Sequence, residues 1–296
     1  MRTVTTVADL RAALAPARAS GRSIGLVPTM GAFHAGHLSL MRRAREECDI
    51  VVVCLFVNPA QFGEGEDFSA YPRDPARDSE LAAAEGVDVL FAPPVEEVYP
   101  DGFETTVAVG SLTGLLEGAA EQRGPEHFAG VTTVVTKLFN MAAPDAAYFG
   151  QKDAQQALVI RRLVRDLDFQ VRIVVCPTVR EPDGLALSSR NAYLDADERR
   201  RAVGLSRALR AAEAVVTSGS LDAGAVLAAA RSELDEAGID PEYLELRSAR
   251  DLSPVERVNG STLLAVAARV GRARLIDNTV LPSPAAPAEA KGGAPQ

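Results

Sequence analysis

The chain has 296 residues, of which 47% are hydrophobic and 24% charged, and its formal net charge is -9. This length is sufficient for one large α/β domain and a smaller second domain. The acidic balance argues against nucleic acid as the main partner, because phosphate backbones require a concentrated basic surface, and no apolar run approaches membrane-spanning length.

The cysteines and the N-terminal residues indicate a compartment. Cys48, Cys54 and Cys176 lack metal-ligand spacing, and the last two lie in apolar runs, so we expect them to be buried. A sparse, odd set of cysteines without a secretory leader favours a reducing cytoplasm.

Strands and helices alternate in the first half of the chain. Apolar runs predict buried strands at 24–27, 50–57, 87–92, 147–149 and 171–176. Helices are predicted to begin after His37 and to cover 74–85, 131–141 and 153–167, as judged from apolar periodicity and helix-start residues. This alternation is typical of an α/β fold with a Rossmann-like doubly wound parallel sheet, which binds ligands beyond the carboxyl ends of its strands.

The loop after the first strand contains two of the three histidines in the chain. It reads Pro-Thr-Met-Gly-Ala-Phe-His-Ala-Gly-His over residues 28–37, and we call it the histidine loop. A strand, a glycine-containing loop and a helix start together direct backbone N–H groups and a helix dipole toward an anion. The pattern resembles the His-x-Gly-His signature of the nucleotidyltransferase superfamily, in which the histidines contact ATP phosphates. The alternatives are a chance match or a histidine that simply caps the helix.

Polar residues also follow three later strands. Gln61 can donate and accept hydrogen bonds, and Gly-Gln-Lys-Asp at 150–153 opens a helix and suits a phosphate with its metal ion. The turn-rich stretch 177–184 leads to Ser-Ser-Arg at 188–190, whose hydroxyls and guanidinium group would clamp phosphates. Ser188 could equally be an ordinary helix N-cap.

The second half predicts a small α+β domain. Helices are expected over 195–216 and 221–236, and strands over 243–247, 263–270 and 274–276. The predicted domain ranges are 1–178 and 179–282, followed by a biased tail at 283–296 that we expect to be disordered.

Several segments in the same order resemble the pantoate–β-alanine ligases, the pantothenate synthetases, over about residues 2 to 282. The resemblance implies adenylation of (R)-pantoate by ATP, release of pyrophosphate, and attack of β-alanine on pantoyl adenylate. It also implies Mg²⁺, a homodimer, and a small domain that acts as a lid over the nucleotide. The segments that carry it are residues 28–37, 56–62, 66–73, 127–131, 149–153, 183–191 and 243–246.

The resemblance also assigns roles to residues. Gln61 and Gln156 would bind pantoate, and Gln61 and His127 would bind β-alanine, while the protein ligands of Mg²⁺ stay unknown. The expected catalytic residues are His37, as the proton donor of the family, with His34, Lys152, Ser188, Ser189 and Arg190. The expected ATP-binding residues are Met30, Gly31, Ala32, Phe33, His34, Ala35, Gly36, His37, Gly150, Gln151, Lys152, Asp153, Val179, Leu187, Ser188, Ser189 and Arg190.

The chain departs from the family pattern at Arg123, which precedes His127 by four residues where three are usual. This departure leaves the role of Arg123 open. Asp74 and Asp78 could help to hold Mg²⁺, but we expect both on the solvated face of a helix.

Two other functions fit part of the pattern. A nucleotidyltransferase that acts on a phosphorylated metabolite would share the histidines and the Ser-Ser-Arg segment, but it would not explain Gln61 and Gln156. A non-enzymatic nucleotide- or RNA-binding regulator is disfavoured by the acidic charge balance.

Overall fold

The computed structural model describes residues 1–63, 68, 71–119 and 122–282. The chain divides into two compact units, Met1–Ala192 and Tyr193–Gln296. The ranges 1–178 and 179–282 stay a prediction of domain organisation, and the predicted disordered tail lies outside the described residues. No helix in the described part of the chain has the length and apolarity that crossing a membrane requires.

A six-stranded sheet forms the centre of the first unit. Its strand order is β1-β4-β3-β2-β5-β6, and every pair is parallel, which confirms the predicted α/β class. The strand order reverses beside β2, which lies between β3 and β5, so the ligand crevice of such a fold lies beyond the end of β2. The strands are β1 Arg2–Val4, β2 Ile24–Thr29, β3 Ile50–Leu55, β4 Val89–Phe91, β5 Ala146–Gly150 and β6 Arg172–Cys176.

Helices cover both faces of this sheet. Leu26 and Val52 pack on the side of α1, α5 and α6, whereas Val27 and Val53 pack on the side of α2 and α3. Because both faces are buried, the strands are apolar at consecutive positions. The helices are α1 Val7–Ala19, α2 Ala35–Glu47, α3 Pro75–Ala84, α4 Val95–Val98, α5 Pro125–Ala142 and α6 Ala154–Asp166.

Helix α5 begins six residues before its predicted start. Gly124 precedes it with φ +77°, and Pro125 occupies the first turn, where its missing N–H costs nothing. His127, which precedes the predicted helix start at residue 131, therefore lies in the first turn of α5. Strand β1 and helix α1 have no counterpart among the predicted elements.

Helix α5 packs closely on a short 3₁₀ turn at Pro59–Gln61 that follows β3. A Cβ atom at Gly130 would overlap the carbonyl group of Ala60, so only glycine allows this approach. The contact fixes the position of Gln61 relative to α5.

The second unit is the small α+β arrangement that the sequence predicts. Its antiparallel strands lie in the order β7-β8-β9, and the central β8 is almost entirely buried. Its elements are α7 Ala196–Thr217, α8 Ala223–Glu236, β7 Pro241–Ser248, β8 Thr262–Val270 and β9 Ala273–Val280.

Candidate active site

The histidine loop leaves the central strand through two residues with positive φ. Gly31 has φ +92° and Ala32 has φ +53°. A Cβ atom on Gly31 would lie 2.6 Å from Cδ1 of Leu55 and 2.9 Å from Oδ2 of Asp78. Glycine is therefore required here both for backbone conformation and for space.

Asp78 of α3 holds this loop in place. Its carboxylate is buried, with 2% of the residue exposed, and it accepts hydrogen bonds from the N–H groups of Ala32 (2.9 Å) and Phe33 (2.7 Å). The expectation that Asp78 lies on a solvated face is wrong. A signal was present in the sequence, because Asp78 shares the buried side of α3 with Ala82. Asp74, the N-cap of α3, is exposed as expected.

The two histidines of the loop form one unit at the start of α2. His34 is the N-cap, and its Nδ1 accepts from the N–H of Gly36 at 3.1 Å. The N–H of His34 donates to Nδ1 of His37 at 3.4 Å, and the ring centroids are 4.2 Å apart. His34 thus caps the helix, as the alternative interpretation held. Because each Nδ1 accepts a bond, the ring proton of each neutral imidazole lies on Nε2.

Burial keeps both imidazoles neutral. It lowers the pKa of His34 to about 4, with a further contribution from the Lys152 ammonium, while the carboxylates of Asp153 and Glu181 oppose this shift. Burial lowers the pKa of His37 to about 3, with contributions from His34 and Lys152. Residues from the ends of β2 and β5 therefore act on one another, and the pair presents two Nε2–H donors near an ammonium group.

Gln61 and Met30 meet beyond the ends of β3 and β2. Nε2 of Gln61 donates to Sδ of Met30 at 2.9 Å, and Oε1 accepts from Nδ2 of Asn58 at 3.1 Å. Sequence reasoning did not single out Asn58 as a site residue, although an Asn-Pro pair at a strand end is a turn signal.

His127 connects Gln61 to Arg123. Its Nδ1 lies 2.6 Å from the carbonyl oxygen of Gln61, and its Nε2 lies 3.2 Å from a terminal nitrogen of Arg123. A carbonyl only accepts and a guanidinium only donates, so the His127 proton lies on Nδ1. Arg123 thus contacts His127 despite its one-residue shift from the family pattern.

Adjacent glutamines on α6 have different surroundings. Gln155 is buried and bonds the backbone of Leu112, Leu115 and Glu117. Gln156 is half-buried, and its side chain makes no hydrogen bond to another described residue. Gln151, Lys152 and Asp153 form a 3₁₀ turn between β5 and α6.

The turn-rich segment after β6 folds back on itself as a hairpin over residues 179–191. The N–H of Leu187 donates to the carbonyl of Val179 at 3.0 Å. Asn191 donates to Glu181 at 3.0 Å and to the carbonyl of Ala186 at 3.1 Å. After the returning arm of the hairpin, the N–H of Arg190 donates to Oγ of Ser188 at 3.2 Å, so Ser188 does cap a short 3₁₀ turn. The carboxylate of Glu181 acts to raise the pKa of His34, so this hairpin lies near the histidines.

Within the described ranges, no group of three His, Cys, Asp or Glu side chains could hold a metal ion. Both oxygens of Asp78 already accept backbone N–H bonds. The site residues therefore do not form a metal cage of their own.

The sequence profile of the family described as Pantoate-beta-alanine ligase matches residues 2–280. A protein named pantothenate synthetase from Moorella thermoacetica is 54% identical over 284 residues, which cover 95% of this chain and 99% of that protein. The crystal structure of pantothenate synthetase from Thermus thermophilus has 50% sequence identity and a TM-score of 0.89, covering 95% of this chain and 100% of that one. A pantoate–β-alanine ligase from Francisella tularensis, complexed with beta-gamma ATP and β-alanine, has 33% identity, a TM-score of 0.78, and coverage of 95% and 97%.

We expect Asp78→Ala to disorder the histidine loop. The substitution leaves two backbone N–H groups without acceptors, which should lower the free energy of unfolding by about 2–5 kcal/mol. Asp74→Ala is the matched control, because it removes a carboxylate from the same helix and should cost about 1 kcal/mol as a lost cap. Thermal unfolding and the imidazole NMR signals of His34 and His37 report the outcome. Unchanged imidazole signals in Asp78→Ala would contradict the role.

The lowered pKa values predict unusual titration of His34 and His37. At pH 5.5, where an unfolded histidine is mostly protonated, both should give ¹⁵N NMR signals of the neutral Nε2–H form. Between about pH 6.5 and pH 4 the unfolded chain binds more protons at these positions than the folded one. Their contribution therefore makes the folded state less stable as the pH falls through that range. Imidazolium signals at pH 5.5 would contradict the burial argument.

Proposed function

The chain belongs to the pantoate–β-alanine ligase family, and we propose that it ligates (R)-pantoate to β-alanine with ATP. A carboxylate oxygen of pantoate attacks the α-phosphorus, and the bond to the bridging oxygen breaks, so that pyrophosphate leaves. The amine of β-alanine then attacks the acyl carbon of pantoyl adenylate, and AMP leaves with the electron pair of the broken C–O bond.

The arrangement of His34, His37 and Lys152 carries this proposal. A carboxylate that approaches a triphosphate meets several negative oxygens, and each such pair at 4 Å costs about 4 kcal/mol at an effective dielectric near 20. Donors and positive charge fixed in advance around the phosphates lower this barrier more effectively than a strong base would. The two Nε2–H groups and the Lys152 ammonium supply both.

The neutral state of the imidazoles suits a ligand with many negative charges. In the free protein a second and third positive charge beside Lys152 would be costly, and burial adds to that cost. When a triphosphate binds, its negative charge strengthens the hydrogen bonds from the two Nε2–H groups. His37 can then donate its Nε2 proton toward the leaving pyrophosphate, which is the proton-donor role proposed for it, while its Nδ1 keeps the bond from the N–H of His34.

The remaining phosphate and nucleotide contacts belong to the 179–191 hairpin and the turn after β5. Ser188, Ser189 and Arg190 would bind the β- and γ-phosphates, and Gly150 and Asp153 would bind near the ribose. The backbone of Val179 would meet adenine. Mg²⁺ would arrive with ATP and neutralise phosphate charge, held mainly by phosphate oxygens and water, because the described residues offer no cluster of ligands. A homodimer and a cytoplasmic location stay predictions.

Amide side chains suit the nucleophile. Gln61 and Gln156 would bind the hydroxyls and carboxylate of pantoate, since an uncharged N–H holds an anion without neutralising it. These two residues favour a small hydroxylated acid over the phosphorylated metabolite of another nucleotidyltransferase.

The first test is pyrophosphate release from ATP with pantoate present and β-alanine absent. Lys152→Ala should lower its rate about 100-fold or more, because a preorganised charge at the transferred phosphoryl group is lost. Arg161→Ala is the control, since it removes an exposed positive charge from nearby α6 and should leave the rate unchanged. If pantoate triggers no pyrophosphate release from the unaltered enzyme, the proposed function is wrong.

The role of Arg123 is tested in the second step of the reaction, the attack by β-alanine. Because Arg123 donates to His127, which in turn bonds Gln61, Arg123→Ala should raise the KM for β-alanine about tenfold or more, as expected for a lost charged hydrogen bond. Pantoate-dependent pyrophosphate release should stay within about twofold, which is a difference in barrier of less than about 0.5 kcal/mol. An unchanged KM for β-alanine would remove Arg123 from this subsite.

A further inference from the structure

Asn58 is a fully bonded side chain beneath the Pro59–Gln61 turn. It is 1% exposed. Its Oδ1 accepts from the hydroxyl of Tyr99 at 2.8 Å and from the N–H of Ala60 at 3.3 Å. Its Nδ2 donates to the carbonyl of Gly130 and to Oε1 of Gln61, each at 3.1 Å. All four hydrogen-bonding positions of this amide are therefore used.

The two backbone partners determine which end of the Asn58 amide is oxygen. An N–H group can only donate and a carbonyl can only accept, so the atom facing Ala60 is Oδ1 and the atom facing Gly130 is Nδ2. The oxygen and the nitrogen of the Asn58 amide are therefore assigned unambiguously.

The Asn58 amide in turn orients the amide of Gln61. Since Nδ2 of Asn58 donates, the facing atom of Gln61 must be Oε1, and Nε2 points away from Asn58. Nε2 contacts the thioether of Met30, a weak acceptor that an anionic ligand can readily replace. Gln61 thus presents N–H groups and no oxygen toward the end of β2.

Tyr99 completes the chain of hydrogen bonds from the far side. Its ring packs on Phe103 with a centroid distance of 5.1 Å and on Phe56 at 6.2 Å. Burial raises the pKa of Tyr99 to about 12, although the bond to Asn58 opposes the shift. The hydroxyl therefore keeps its proton and donates throughout the neutral range. Without it, Oδ1 of Asn58 would keep only the longer bond from Ala60.

We propose that Tyr99 is a positioning residue that acts through Asn58 to keep the Gln61 amide turned with its N–H groups toward the carboxylate of pantoate. This role rests on the proposed function, and Tyr99 itself touches no reacting atom. If Gln61 rotated by a half turn, its carbonyl oxygen would face the carboxylate and repel it.

The test is Tyr99→Phe, which removes the hydroxyl and keeps the packed ring. The KM for pantoate in pyrophosphate release should rise about three- to tenfold, as expected for one neutral hydrogen bond, while the KM for ATP stays unchanged. Tyr148→Phe is the matched control, because its buried hydroxyl contacts Cys48 and Glu47. It should lower thermal stability without changing the KM for pantoate. A general structural effect of Tyr99→Phe would raise both KM values and overturn the proposal.

A double-mutant cycle tests whether Tyr99 affects pantoate binding through Gln61. Pantoate affinity is measured by calorimetry in the presence of a non-hydrolysable ATP analogue, for wild type, Tyr99→Phe, Gln61→Ala and the double variant. The loss caused by Tyr99→Phe should vanish in the Gln61→Ala background. An equal loss in both backgrounds, or no loss in wild type, shows that Tyr99 does not act through Gln61. Failure of wild type to release pyrophosphate with pantoate would instead refute the proposed function.

Discussion

The buried carboxylate of Asp78 determines the path of the chain after the central strand β2. Residues 31 and 32 both have positive φ, which turns the N–H groups of Ala32 and Phe33 away from any strand partner. Asp78 accepts both bonds from a helix more than 40 residues later in the chain. An unsatisfied buried N–H costs about 1–3 kcal/mol, so this conformation could not persist without the acceptor. The start of α2, and with it the direction of both histidines, follows from this single interaction.

The surroundings of the histidines combine two opposing requirements. A phosphate site needs donors and positive charge, yet an empty site with three adjacent cations would repel itself. The protein resolves this by burying two imidazoles beside Lys152, so that they are neutral donors when no ligand is bound. Fixed Nδ1 acceptor bonds leave only Nε2–H available, which defines the tautomer before any ligand arrives. The donors are thus preorganised without the repulsion that three adjacent cations would cause.

The sequence predicts those parts of the site that depend on local order. Parallel strands bring their carboxyl ends to one edge, so the sequence alone predicts that the loops after β2, β3, β5 and β6 lie together, and these four strands are neighbours in the sheet. The burial of Asp78 was missed because its partners lie 45 and 46 residues away. The contacts of Asn58 with Tyr99 and Gly130 likewise span 41 and 72 residues. Apolar periodicity predicts the start of α5 too late, because the helix begins at the Gly124-Pro125 pair, where proline suits the first turn.

The two ends of the crevice differ in the kind of polarity that they offer, as the proposed binding of a triphosphate at one end and a carboxylate at the other requires. Around the histidine loop the donors are strengthened by an ammonium, which favours phosphates. Around Gln61 the donor is an amide held by another amide, with no lysine or arginine bonded to it among the described residues. A cation there would bind a carboxylate tightly but would also withdraw electron density from the attacking oxygen. An amide avoids that loss, but it can face either way, so it must be oriented. The backbone groups of Ala60 and Gly130 provide that orientation through Asn58, and the hydroxyl of Tyr99 supports it with the shorter bond to Oδ1.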